Sequence, residues 1–216
     1  MHPHSHHFES RSKRRTQVLV AVLAGGRGER LGGRKPSVTL AGRPLIAYPL
    51  AAAQAAELDA VVVAKPDSQL PPLAERVIYD VDERRHPLSG VVTALSEAPN
   101  VIAIACDMPF VPPDLLRWIA EQQADAVVMQ SGDFIDPFPA LYSRRHLQSL
   151  TAAVHSEASL RATLARLQPQ ILHGRDLRAF GSRTRISFSV NTREDLAAAE
   201  RWLRAFPQLK APTTGR

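Results

Sequence analysis

A chain of 216 residues with an apolar fraction of 44% and a charged fraction of 22% is sized and composed for one substantial buried core. No apolar run approaches the ~20 residues that span a bilayer, so a membrane partner is not expected, and the single cysteine, Cys106, excludes an internal disulfide and a multi-cysteine zinc site. The net charge of +6 raises nucleic acid as a partner, but the basic residues are scattered and no aromatic residue interleaves with a basic run, so an anionic small molecule fits better.

Residues 1–16 are polar, with four histidines and a basic run at Arg11, Lys13, Arg14 and Arg15. They lack the apolar centre of a signal peptide, and no histidine pair has i, i+4 spacing within a recognisable helix, as a specific metal site would use. A disordered tail, a cytoplasmic location, one domain over 17–208 and a flexible end at 209–216 are the expectations.

Val18 to Leu23 is a short, β-branched apolar run and predicts a buried strand. It leads into Leu23-Ala24-Gly25-Gly26-Arg27-Gly28-Glu29-Arg30-Leu31-Gly32-Gly33-Arg34-Lys35, where five glycines, three arginines and a lysine share a turn with one carboxylate. A strand entering a glycine-rich cationic loop is how α/β proteins build polyphosphate sites. The loop is neither a P-loop, because Arg34 precedes Lys35 and Pro36 follows it, nor a dinucleotide fingerprint, because the spacing is G-x-G-x-x-x-G.

Pro44 to Ala56 predicts a helix, with Pro44 in its first turn and Pro49 awkwardly inside. Strands follow at 60–64, closed by Lys65-Pro66-Asp67, and at 76–79, ending in Asp80. Residues 88–98 read as a helix, and 100–106 as the most continuous apolar strand, hence central. A helix over 112–123 and a strand at 126–129 continue the alternation. That rhythm specifies an α/β fold, a doubly wound and mainly parallel sheet with flanking helices. Beyond Asp136 the pattern weakens: 137–142 is extended and suits an edge or wall, 144–154 and 159–167 are helical, and 186–190 alternates as a half-exposed strand. A last helix runs from Asn191-Thr192 to about Phe206, with Thr192 and Asp195 as a cap.

Asp107 follows the central strand, where an acid points into the crevice in which α/β proteins bind ligands. One aspartate there can hold Mg²⁺ together with a triphosphate. Cys106 reads as a small core residue, since no histidine lies in a pairing motif. Asp80 either contacts the ligand or solvates a loop with Asp82 and Glu83, Asn191 either caps the last helix or faces the site, and His86 reads as a loop residue.

The loop from Leu23 to Lys35, Gly42-Arg-Pro-Leu45, Asp80 ahead of Pro87-Leu-Ser-Gly90, Cys106-Asp-Met-Pro109, Pro137-Phe-Pro-Ala-Leu-Tyr142 and Val190-Asn-Thr192 span most of the chain. In this order they resemble the molybdenum cofactor guanylyltransferases. That resemblance implies a nucleotidyltransferase (glycosyltransferase A-like) fold and transfer of GMP from GTP to the phosphate of molybdopterin, with release of pyrophosphate. It implies that Leu23, Ala24, Gly25, Gly26 and Lys35 hold the nucleotide, that Asp80 contacts it, and that Asp107 binds Mg²⁺. Arg27 or Arg30 would join Lys35 on the phosphates, and Asn191 would lie near the second substrate or metal. The chain departs from the family at Arg34, at His86, and at Lys65, which stands where a base-reading asparagine is usual. A cytidylyltransferase, a nucleotidyltransferase for another phosphorylated acceptor, and an inactive nucleotide-binding relative are the alternatives.

Overall fold

The computed structural model describes residues 18–206 except Arg27, Arg34, Arg85, Gly132 and Asp133. The expectations for the two chain ends and for Arg27 and Arg34 lie outside the described residues.

The strand before the glycine loop, β1 (Val18–Leu23), is buried on both faces: Val20 and Val22 enter one core and Ala21 the other, none of them exposed. This is why the run is continuously apolar rather than alternating. β2 (Thr39–Leu40) and β3 (Arg43–Pro44) form a small separate hairpin. β4 (Ala60–Ala64), β5 (Arg76–Tyr79), β6 (Asn100–Ala105), β7 (Ala126–Ser131), β8 (Phe134–Ser143) and β9 (Gln170–Leu172) join β1 in a seven-stranded sheet ordered β5-β4-β1-β6-β8-β7-β9. Only β8 runs against its neighbours.

The helices are α1 (Ala47–Ala55), α2 (Ser89–Glu97), α3 (Pro113–Ala120), α4 (Leu147–His155), α5 (Leu160–Arg166), α6 (Arg183–Ile186) and α7 (Arg193–Ala205). α1 and α3 cover the face of Val20 and Val22, while α2, α4 and α5 cover that of Ala21. The doubly wound, mainly parallel arrangement read from the sequence is therefore present. β1 lies between β4, its successor, and β6, so the winding reverses there and opens a crevice at the carboxyl ends of β1 and β6.

Three expectations are corrected. The helix expected from Pro44 begins at Ala47, because Pro44 pairs with Thr39 in the hairpin; Pro49 is the third helical residue, where no intrahelical N–H bond is required. The segment 137–142 belongs to β8, an interior strand between β6 and β7 rather than an edge. Its prolines are tolerated because the pairing jumps from Met129–Asp136 to Val127–Leu141, a bulge that leaves Pro137 and Pro139 without a ladder partner on β7. Ile186–Val190 is not a strand: Ile186 ends α6, and Phe188 and Val190 pack into a third core with Leu40, Leu45, Phe110 and Leu203. Its alternation reflects that packing, not a sheet neighbour.

Candidate active site

The loop after β1 is folded back on itself. The Gly28 carbonyl accepts from Leu31 N at 2.8 Å and Gly33 N at 3.0 Å. Gly28 has φ +58°, and a Cβ on it would stand 2.5 Å from Lys35 Cβ, so only glycine fits that crossing. The tight turn returns Lys35 to the strand ends. The loop's start is fixed by Ala24 N donating to Val63 O at 2.7 Å and by Ser68 Oγ donating to Ala24 O at 3.2 Å.

Asp107, 5% exposed, follows β6, whose parallel pairing with β1 is extended by Cys106 N donating to Leu23 O at 3.0 Å. The Lys35 ammonium pairs with Asp107 Oδ2 and donates to Asn191 Oδ1 at 2.7 Å. Asn191 arrives from the far end of the chain because Val190 N donates to Asp107 O at 2.9 Å. The α7 cap is Thr192, not Asn191: its hydroxyl accepts from Asp195 N at 3.1 Å, while Asp195 Oδ2 accepts from Asn191 N and Thr192 N, both at 2.9 Å. Burial raises the Asp195 pKa, but these hydrogen bonds outweigh it and leave the carboxyl below its ordinary value.

On the other wall Lys65, 6% exposed, and Asp80, 4% exposed, form a second pair at 2.9 Å. The Lys65 ammonium also donates to Arg84 O at 3.0 Å and to Asp82 O. Asp80 thus contributes to the site and also organises the loop through Asp82 N, which donates to its Oδ1 at 3.1 Å.

Between these walls is a cavity of about 450 Å³ lined by Leu23, Gly25, Gly26, Lys35, Lys65, Asp80 and Asp107. Ala24 is buried behind it, Asn191 reaches it through Lys35, and Arg30 is exposed on the 29–31 turn, off the cavity wall. The sequence assigned no contact with the site to two further lining residues, Phe138 and His86. Phe138 is carried in by the β8 bulge, and His86 braces the rim: its Nδ1 accepts from Leu88 N at 3.1 Å, so the other nitrogen carries the proton toward Ala158 O, also at 3.1 Å. Burial, then the Asp107 carboxylate, pushes the Cys106 thiol up to about 12, which leaves it no part as a nucleophile.

Among the described residues no three His, Cys, Asp or Glu side chains gather as a metal cluster. The donor set at Asp107 still fits a hard cation, since two side-chain oxygens, Asp107 Oδ2 and Asn191 Oδ1, already converge on the cationic Lys35 ammonium. Phosphate oxygens and water would complete such a site.

The sequence profile described as MobA-like NTP transferase domain matches residues 20–171. The chain belongs to that family. It is therefore a nucleotidyltransferase, in agreement with the resemblance read from its motifs. A molybdenum cofactor guanylyltransferase of Syntrophotalea carbinolica is 30% identical over 205 residues, covering 88% of this chain and 92% of the relative. One of Pseudomonas putida is 32% identical over 156 residues, covering 68% and 82%. The crystal structure of molybdopterin-guanine dinucleotide biosynthesis protein A from Archaeoglobus fulgidus superposes with a TM-score of 0.76 at 27% identity, over 87% of this chain and all of that one. In this MobA-like NTP transferase the profile ends before Asn191, so the site combines a residue from outside the matched region with the glycine loop inside it. No helix among the described residues is long and apolar enough to cross a membrane.

Proposed function

We propose that the cavity takes a nucleoside triphosphate, GTP first among them, and that the chain transfers GMP to the phosphate of molybdopterin. The observation that carries this reading is the Lys35 ammonium held between Asp107 and Asn191 beside a glycine loop, a chemistry suited to polyphosphate together with a hard cation. In the reaction an oxygen of the acceptor phosphate attacks the α-phosphorus, the bond from that phosphorus to the β-phosphate's bridging oxygen breaks, and pyrophosphate leaves with the bonding electrons. A terminal phosphate, with a second pKa near ~6, is already anionic at neutral pH, so no general base is required.

The chain's residues orient and stabilise. Leu23, Gly25 and Gly26 line the cavity and would face the nucleotide, and Lys35 would meet the phosphates as their charge shifts toward the leaving group. Asp107, with Asn191 beside it, would hold Mg²⁺, which when bound supplies electrostatic stabilisation to the phosphates. A panel of the four triphosphates with Mg²⁺ and phosphorylated acceptors, followed by pyrophosphate release, tests this. GTP with molybdopterin should turn over fastest; clear preference for CTP makes the chain a cytidylyltransferase, and no release with any pair sinks the transferase chemistry proposed here.

A further inference from the structure

Lys65 is a cavity-lining residue whose charge is spent inside the protein. An ammonium has three N–H donors. Here they meet Asp80 Oδ2, Asp82 O and Arg84 O, so a bond to a ligand would require giving up one of these. The segment it grips is wound around it: Asp80 N donates to Ala64 O at 2.8 Å, Asp82 N to Asp80 Oδ1 at 3.1 Å, and Arg84 N to Asp82 Oδ1 at 2.9 Å. The stem faces the glycine loop, since a Cβ on Gly25 would sit 3.2 Å from Lys65 Cγ. Lys65 Nζ on Oδ2 and Asp82 N on Oδ1 hold both oxygens of the Asp80 carboxylate, and the ammonium offsets a negative charge that would repel a triphosphate.

We infer that Lys65 is a positioning residue for base selectivity, acting through Asp80 and the 80–84 turn rather than by touching the nucleotide. This rests on the reading that the cavity takes a nucleoside triphosphate with its base toward the Asp80 wall. Its signature is non-additivity: two residues acting through one contact do not lose it twice.

The test is a double-mutant cycle on the full chain, with Lys65→Met, which keeps the stem, Asp80→Asn, and the pair together. Titration calorimetry with GTP and with CTP, each with Mg²⁺, gives a selectivity ratio for every variant, and thermal melting is measured alongside. Each single substitution should reduce the ratio by about tenfold or more, and the double variant should lose no more than Asp80→Asn alone. A ratio that falls further in the double variant shows direct contact by Lys65 and overturns the proposal. So does an unchanged ratio in a Lys65→Met protein that melts lower, which marks a merely structural role, and so does a wild-type protein that binds triphosphates without base preference. Should Lys65→Met fail to fold, the double variant, which buries no unpaired charge, is compared directly with Asp80→Asn by the same criterion. Failure of the parent protein to bind any triphosphate instead removes the functional reading itself.

Discussion

Two lysine–aspartate pairs face each other across the cavity, and they are built for opposite purposes. Lys35–Asp107 joins two loops at the mouth, with side-chain exposures of 15% and 8%, and its third member, Asn191, comes from a separate segment. Lys65–Asp80 sits deeper, at 8% and 6%, and satisfies its ammonium with carbonyls of the loop it organises. In the function proposed above, the first pair consists of groups that a triphosphate and a cation would compete for; the ammonium of the second already has three acceptors. Proximity and charge alone do not distinguish a reactive pair from a structural one. The number of acceptors already engaged does.

The sharpest way to break this contrast is Asp107→Asn. Removing the carboxylate at the mouth should cost several kcal/mol of transition-state stabilisation, a loss of roughly 10³-fold or more in turnover, with the fold intact by circular dichroism. Near-normal pyrophosphate release by the folded variant would refute the assignment.

Lys35→Met should follow, lowering kcat/KM by about 10²-fold as one phosphate-side donor is lost. It should leave the preference between GTP and CTP untouched, in contrast to Lys65→Met. A changed preference would mean that the two pairs are not functionally distinct.

A smaller effect is expected from the cap that presents Asn191. Thr192→Ala should destabilise the protein by about 1 kcal/mol, seen as a lower melting temperature. The Asp195 carboxyl has a folded-state pKa below its ordinary value, so its contribution is fully present above the ordinary carboxylate pKa of about 4 and is lost as pH falls through the lower folded value. Asp195→Asn should therefore narrow the gap to wild type in melts at progressively more acidic pH; a gap constant across that range would contradict the shift.

The smallest effect belongs to Cys106, the buried residue that follows β6. With its thiol at about 12 and only 5% exposure, it should resist alkylation in the native protein at pH 8 and react only on unfolding. Labelling of native protein at the rate of a free thiol would contradict that burial.

The parts of this molecule that follow the sheet were readable from sequence. Val18–Leu23 and residues 101–105 are continuously apolar because both faces are covered, and Asp107 stands out as the polar residue after the second of them. Lys35 was legible through the glycine spacing. What escaped depends on contacts distant in the chain. The β8 bulge that delivers Phe138 shows only as prolines, which also mark an edge. Ile186–Val190 alternates without pairing, since Ile186 enters the core of Val20 and Val22 while Phe188 and Val190 pack with Leu40, Phe110 and Leu203. Lys65 reads as a ligand-facing donor until its acceptors, 15 to 19 residues downstream, are seen folded over it.

One bond gives the molecule an optical reporter. Asp107 answers to two parts of the chain, its carboxylate to Lys35 and its carbonyl to Val190 N. Val190 and Phe110, on either side of that link, share the third core with Trp202, whose ring lies 5.5 Å from that of Phe110 and 4.7 Å edge-on from that of Phe188. In the proposed function, a ligand that draws the Lys35 ammonium off Asp107 would act on a residue whose carbonyl is tied to the core that holds this indole. The chain has two tryptophans, and Trp118 packs elsewhere, against Phe180. Replacing Trp118 with phenylalanine leaves Trp202 as the single tryptophan, whose emission on adding a triphosphate would read out the site with no label and no turnover.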